Sequence, residues 1–255
     1  MRTKSLLLVM AVAAVSASQA QVLYSTGFEA PTYTAGTGVN TIDGWANGSG
    51  AGSPNVVSTD VAAGGTQSLR IAQTSLTNFT SVRRALPTLG ATVATPAVIS
   101  VQVYVASSTA ADRLSGMYLG STATSTLGGT TAGMTLGGDG KVRMGSTWLS
   151  TYDVAFDAQA AAGTFADRWI TFSMSFNGAQ VTASMSGFSD NAVYSKTFAP
   201  GGAIANLNLG SDYAGNTGAT GTTYFDNLKV ESVPEPATMT LLALGALAAR
   251  RRKKA

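Results

Sequence analysis

The sequence predicts an all-β chain, a single antiparallel β-sandwich set between two targeting segments, and three observations carry that prediction. Short runs alternate apolar and polar residues with the period of two that a half-buried strand requires. Gly-rich and Ser/Thr-rich turns separate these runs, and no helical periodicity persists through the body. The composition agrees, with 45% hydrophobic but only 11% charged residues, against roughly 25% charged in an average globular domain. An aromatic content of 8% and many β-branched residues supply a core, which sets the chain apart from disordered sequences.

Residues 1–20 come first, and they read as a secretory signal peptide. Arg2 and Lys4 form a basic n-region, residues 6–15 an apolar h-region, and Ser18-Gln19-Ala20 a small-residue site with cleavage after Ala20. The general secretion machinery is the partner this layout implies.

The body, residues 21–232, holds the strands. Early ones are expected at 22–26, 67–73 and 79–86. In 97–105 the residues Ile99, Val101, Val103 and Val105 fall on one face, with Ser100, Gln102 and Tyr104 on the other. Strands at 117–121 and 141–144 follow, the second entered through Gly137-Gly138-Asp139-Gly140. That glycine cluster reads as a hairpin turn, not a phosphate cradle, because no helix follows it. Residues 153–166 are richer in Ala and suit a short helix or a crossing loop. In 169–176, Ile170, Phe172, Met174 and Phe176 alternate with Trp169, Thr171, Ser173 and Ser175. Asn177-Gly178 then suits a type I′ turn, whose two central residues need positive φ. It would place Met174 opposite Val181, Phe172 opposite Ala183 and Ile170 opposite Met185, apolar against apolar. Further strands are expected at 193–198, 205–209 and 223–231, with turns at 44–53, 122–133 and 210–221. No repeat and no linker divides the body into two domains.

The last element, residues 233–255, is different in kind. Val233-Pro234-Glu235-Pro236 leads into an apolar stretch, 237–249, of about 13 residues. As a helix that stretch spans roughly 20 Å against a hydrocarbon core of about 30 Å. Arg250, Arg251, Arg252, Lys253 and Lys254 follow, and a basic cluster stays on the cytoplasmic side. Together these features resemble the PEP-CTERM sorting signal of bacterial exported proteins. The resemblance implies recognition by a membrane-embedded exosortase and processing near the Pro-Glu-Pro. It also implies transient residence in the inner membrane, then a place at the cell surface or outside the cell.

Charge and residue usage exclude several functions. With no Cys and no His there are no disulfides, no thiolate nucleophile, no zinc site of those ligands and no imidazole base. The net charge of +3 comes from the two ends, since residues 21–249 carry 9 basic against 13 acidic side chains, a net of −4. Such a body has no footprint for nucleic acid.

A second resemblance lies within the body. Gly27-Phe28-Glu29, Gly44-Trp45, the run Gly65 to Ile71 and the closing Tyr224-Phe225-Asp226-Asn227-Leu228-Lys229-Val230 are similar to the jelly-roll domains grouped with concanavalin-like lectins and carbohydrate-binding modules. That family implies that the first and last strands are neighbours and that Glu29 and Asp226 each contribute to a structural calcium ion, with Asp212 a further candidate. Asp226 shares its expected row with Tyr224, Leu228 and Val230, where a carboxylate is costly unless paired, coordinated or hydrogen-bonded. Backbone N–H groups would serve it as well as a metal. Trp169, among hydroxyls on its polar face, is a candidate for stacking on a sugar or for cover by a crossing loop. Trp45 and Trp148 are further candidates. No closely spaced Glu/Asp cluster supports glycoside hydrolysis by two carboxylates, so no enzymatic activity is expected. The functional expectation is a non-catalytic exported protein associated with exopolysaccharide; the alternative is a module that recognises one glycan.

Overall fold

The computed structural model describes residues 20–48, 55–73, 80–91, 95–111, 113–122, 130–146, 156–213 and 220–233. The expected signal peptide through residue 19, Trp148 and the sorting tail from Pro234 onward lie outside these residues. No helix among the described residues is long and apolar enough to cross a membrane.

Fifteen strands form in order: β1 Gln21–Thr26, β2 Trp45–Asn47, β3 Asn55–Ser58, β4 Ser68–Gln73, β5 Thr80–Ala85, β6 Ala97–Val105, β7 Arg113–Gly120, β8 Thr130–Gly137, β9 Lys141–Gly145, β10 Phe156–Gln159, β11 Trp169–Phe176, β12 Val181–Ser186, β13 Tyr194–Phe198, β14 Asn206–Tyr213 and β15 Gly221–Ser232. They build two antiparallel sheets. The eight-stranded sheet runs β13-β12-β11-β6-β15-β4-β3, with β1 beside the last half of β15. The seven-stranded sheet runs β10-β9-β8-β7-β14-β5-β2. This is a two-sheet antiparallel β-sandwich, and the first and last strands are neighbours.

The alternation read from the sequence makes the core. Ile99, Val101, Val103 and Val105 of β6 pack beside Ile170, Phe172 and Met174 of β11 and against Met117, Met134, Met144 and Leu209 of the facing sheet. Each such fully buried side chain contributes about 1.5–3 kcal/mol. The structure differs from the sequence reading in several places; β2 forms within the segment 44–53 expected as a turn, and β3 where no strand was expected.

The β11–β12 turn is centred on Gly178-Ala179, not on Asn177-Gly178. Phe176 faces Val181, Met174 faces Ala183 and Phe172 faces Met185. Asn177 N–H donates to the Gln180 carbonyl at 3.1 Å, closing a two-residue turn with positive φ (90°) at Gly178. Asn177 instead uses its side chain, whose Oδ1 accepts from the N–H groups of Ala179 and Gln180 at 3.1 and 2.8 Å. The register moves by two residues, so every side chain keeps its face.

Part of the segment expected as a turn, 122–133, enters β8, where Ala132, Met134 and Leu136 alternate inward among Gly and Thr. Residues 156–159 form the edge strand β10, where a short helix or a crossing loop was expected. In β15 a bulge spans Asp226 to Lys229, with Asn227 at φ 49°. It moves Leu228 and Val230 to the core face, while Asp226 stays with Tyr224 on the outer face. The expected apolar row is split there.

Candidate functional site

The outer face of the eight-stranded sheet carries one aromatic row. Trp169 on β11 lies opposite Tyr104 on β6, which lies opposite Tyr224 on β15, which lies opposite Arg70 on β4. All four sit on the polar side of their alternation, so register alone brings them into line. Ring centroids are 5.4 Å apart for Trp169 and Tyr104, inclined at 57°, and 5.8 Å apart for Tyr104 and Tyr224, inclined at 82°. Trp169 and Tyr104 are half-buried, whereas Tyr224 is buried. The accessible part is therefore a corner between two ring faces, not a flat platform.

Two carboxylates bound the row. Tyr104 Oη donates to Asp167 Oδ1 at 3.3 Å, and the same oxygen accepts Ser107 N–H at 2.8 Å. Tyr224 Oη donates to Asp60 Oδ2 at 3.2 Å, and Arg70 Nε stands 3.9 Å from that oxygen. Ser107, through its hydroxyl and its N–H, holds the Asp167 carboxyl below the usual range. Burial, then the facing Asp167 charge, pushes the Tyr104 phenol up; burial and the Asp60 charge do the same for Tyr224. At neutral pH the row thus presents neutral phenols beside an ionised Asp167. Sequence reasoning singled out Trp169 but missed Tyr104, Tyr224, Asp60 and Asp167. The signal available was Tyr104 on the polar face of its strand; its partner rings needed the strand order.

Glu29 and Asp226 come together at the other half of the same face. Asp226 Oδ2 accepts the N–H groups of Ala63 and Gly64 at 2.8 and 3.1 Å, and its Oδ1 accepts Asn227 N–H at 2.6 Å. Glu29 Oε1 accepts the N–H groups of Thr66 and Gln67 at 2.8 and 2.9 Å, and Oε2 accepts the Thr66 hydroxyl at 3.0 Å. The pair therefore clamps residues 63–67 onto the segment that follows β1 and onto the bulge in the middle of β15. Left-handed residues set up both acids: Phe28 (φ 57°) just before Glu29, and Asn227 just after Asp226. Gly65 completes the fit, because a Cβ there would lie 2.3 Å from Glu29 Oε1.

Burial pushes the fully buried Asp226 carboxyl above its ordinary value against the pull of three N–H groups, and the nearby Glu29 charge adds to the rise. For Glu29, burial also raises, but hydrogen bonds from Gln67 and Thr66 outweigh it and hold the carboxyl low. Calcium takes six to eight oxygen ligands, yet here the carboxylate oxygens face hydrogen-bond donors. Among the described residues no group of three or more His, Cys, Asp or Glu assembles. This donor set does not fit a resident calcium ion.

Trp45 is a core residue and has no face free for a ligand. It is 1% exposed, packs on Phe28 at 5.8 Å, and donates from Nε1 to Tyr33 Oη at 3.2 Å. Around it Tyr24 and Tyr33 both donate to Asp43 Oδ2, at 2.7 and 3.0 Å, and Arg84 lies 3.6 Å over the Tyr24 ring. Gly44, at φ 77°, lets the chain turn this indole inward.

The comparisons with known proteins fall into two parts. Residues 232–254 match the PEP-CTERM protein-sorting motif. The chain therefore carries a sorting signal that implies export and exosortase processing to the surface. No curated protein matches the sequence. The body is similar in fold to a conserved carbohydrate esterase, vb_24B_21, from the Shiga toxin-encoding bacteriophage phi24B, at a TM-score of 0.55 and 16% identity, covering 84% of this chain and 100% of that one. It is also similar to the CBM2 module of the evolved Dit of Lactobacillus casei BL23 phage J-1, at a TM-score of 0.52 and 13% identity, covering 85% and 97%. Winged bean acidic lectin complexed with methyl-α-D-galactose matches at a TM-score of 0.51 and 8% identity, covering 84% and 99%. At these identities the likeness is one of fold.

Proposed function

We propose that the chain is a non-catalytic surface or extracellular-matrix protein. It is parted from its tail near Pro234-Glu235-Pro236, and it binds exopolysaccharide through the corner between Trp169 and Tyr104. The observation that carries the binding reading is this corner: two half-exposed rings inclined at 57° beside a carboxylate. A pyranose ring would stack on one face while Asp167 and the Tyr104 hydroxyl take its hydroxyl groups. The inclination suits one sugar unit, not a flat run along a crystalline chain. The folds in its company include a carbohydrate-binding module and a galactoside-complexed lectin, which agrees with the reading.

In this proposal Glu29 and Asp226 act as a clamp on the 63–67 loop and need no calcium. The non-catalytic part rests on the absence of His and Cys and on Asp60 and Asp167 being engaged by tyrosine hydroxyls. Release of acetate or reducing sugar from any polysaccharide by the purified protein would overturn it.

Affinity electrophoresis against a panel of bacterial and plant polysaccharides tests the binding. At least one polymer retards the protein, and Trp169→Ala weakens the retardation at least about tenfold, as loss of an aromatic anchor does, without lowering the melting temperature by more than a few degrees. Retardation unchanged by Trp169→Ala, or none on any polymer, rejects the corner as a glycan site.

A further inference from the structure

At one end of the sandwich an apolar groove of about 560 Å³ opens between the two sheets. Residues 85–91 and 203–205 of the seven-stranded side line it together with Phe176 and Gly178 of the eight-stranded side, and no charged residue is among them. Leu86, Leu89, Phe176 and Ile204 are half-buried there, packed against the core on one side only. Its volume lies in the usual range for pockets that bind small apolar groups, roughly 300–1,000 Å³.

The same end is where both targeting segments join the body. Gln21 lies opposite Ser232, Ser232 opposite Ala97, and Ala97 opposite Phe176. Val233 N–H donates to the Pro96 carbonyl at 2.8 Å, which carries the pairing of β15 with β6 one residue past Ser232. From Ser232 to Phe176 is two strand spacings, about 10 Å. Three extended residues span that distance at about 3.3 Å each. Pro234-Glu235-Pro236 is therefore long enough to bring Ala237 to the groove.

We infer that the groove is an intramolecular dock for the apolar segment of the tail, residues 237–249, whenever that segment is outside a bilayer. The chemistry matches on both sides: the groove carries no charge, and the segment carries none until Arg250. Docking would shield the leucines of the tail in any copy whose tail is not held in the membrane, and leave the basic cluster in solvent. Removal of the tail would then uncover the groove on the processed protein. This inference stands whether or not the body binds polysaccharide.

The chain has no cysteine of its own, which makes disulfide trapping clean. Leu89→Cys with Leu242→Cys is introduced into the full-length chain, produced in a host without exosortase and oxidised in detergent-free buffer. Ser107→Cys with Leu242→Cys, at the opposite end of β6, is the control. The groove pair closes within one chain roughly tenfold faster than the control, as a local effective concentration requires. Dodecyl maltoside micelles abolish the difference. A second variant, Ile204→Cys with Leu242→Cys and Leu89→Asp, closes at the control rate, while the same pair with Leu89 intact closes fast. Equal rates for groove and control pairs, or closure only between two chains, would overturn the docking.

Discussion

Glu29 accepts three hydrogen bonds in its ionised form, and its carboxyl is accordingly held below its unfolded value. A carboxyl shifted this way adds stability above its unfolded pKa and loses it as the pH falls through the folded one. Glu29→Gln is expected to cost about 1 kcal/mol at pH 7, discounted for the partial exposure of the side chain. Its melting curve approaches that of the parent as the pH falls below the ordinary Glu range and through the lower folded value. Asp226 has the opposite sign: burial raises its carboxyl, so its charge costs stability once the pH rises past its unfolded value. Asp226→Asn keeps one acceptor for the loop N–H groups, whereas Asp226→Ala leaves Ala63 and Gly64 without one. Thermal melts of Glu29→Gln at pH 7 and pH 3 check the pair, and EDTA leaves the parent melt unchanged. A drop in EDTA that calcium reverses would restore the metal reading. The meeting of Glu29 with Asp226 was legible, because first and last strands were expected to pair. Backbone N–H groups were an expected partner for Asp226, but that they come from residues 63 and 64 was not legible, since nothing local in residues 63–67 marks them as facing two acids.

Among the elements, the β11–β12 hairpin shows which part of a strand pattern is legible. Alternation fixed the two faces of 169–176 and of its partner, and those faces stand. The register rested on a turn dipeptide, and there Asn177 had two uses: a positive-φ central residue, or a side chain that caps the turn. Capping wins, and the pairing shifts by two residues with no face exchanged. Gly178→Ala, at φ 90°, is expected to cost about 1 kcal/mol or more. Asn177→Gly would be harmless in a type I′ turn but here removes two hydrogen bonds and costs about 1 kcal/mol. Urea unfolding of the two variants decides it, and a neutral or stabilising Asn177→Gly returns the turn to Asn177-Gly178. β8 and the edge strands β2, β3 and β10 were illegible for a simpler reason. They are short or Gly/Thr-rich, and their strand state comes from the neighbour each pairs with, not from their own propensity.

For the whole molecule, charge and location are one question. Seven of the 16 basic residues lie at Arg2, Lys4 and 250–254, so the calculated pI of 9.2 describes the precursor. The body between carries more acid than base, and neither its outer aromatic row nor its clamp adds a basic surface. The two-sheet architecture was legible because the long strands β6 and β11 alternate cleanly, each with one apolar and one polar face. The position of the aromatic corner was not, because it depends on β11, β6 and β15 being adjacent. Sorting is written in sequence at residues 232–254 and owes nothing to the sandwich. On the proposed route, processing near the Pro-Glu-Pro would remove Arg250 to Lys254 along with the apolar segment, and cleavage after Ala20 would remove Arg2 and Lys4. The protein collected from the surface or medium of its own cells is therefore expected to be net negative at pH 7 and to bind an anion exchanger. Its intact mass should correspond to a chain that begins near Gln21 and ends close to Pro234. The same chain made in a host without exosortase is expected to keep its basic end, residues 250–254. A native species that still carries residues 250–254 would show that the tail is a lasting anchor. In that case the groove beside Phe176 would face the bilayer for the life of the protein.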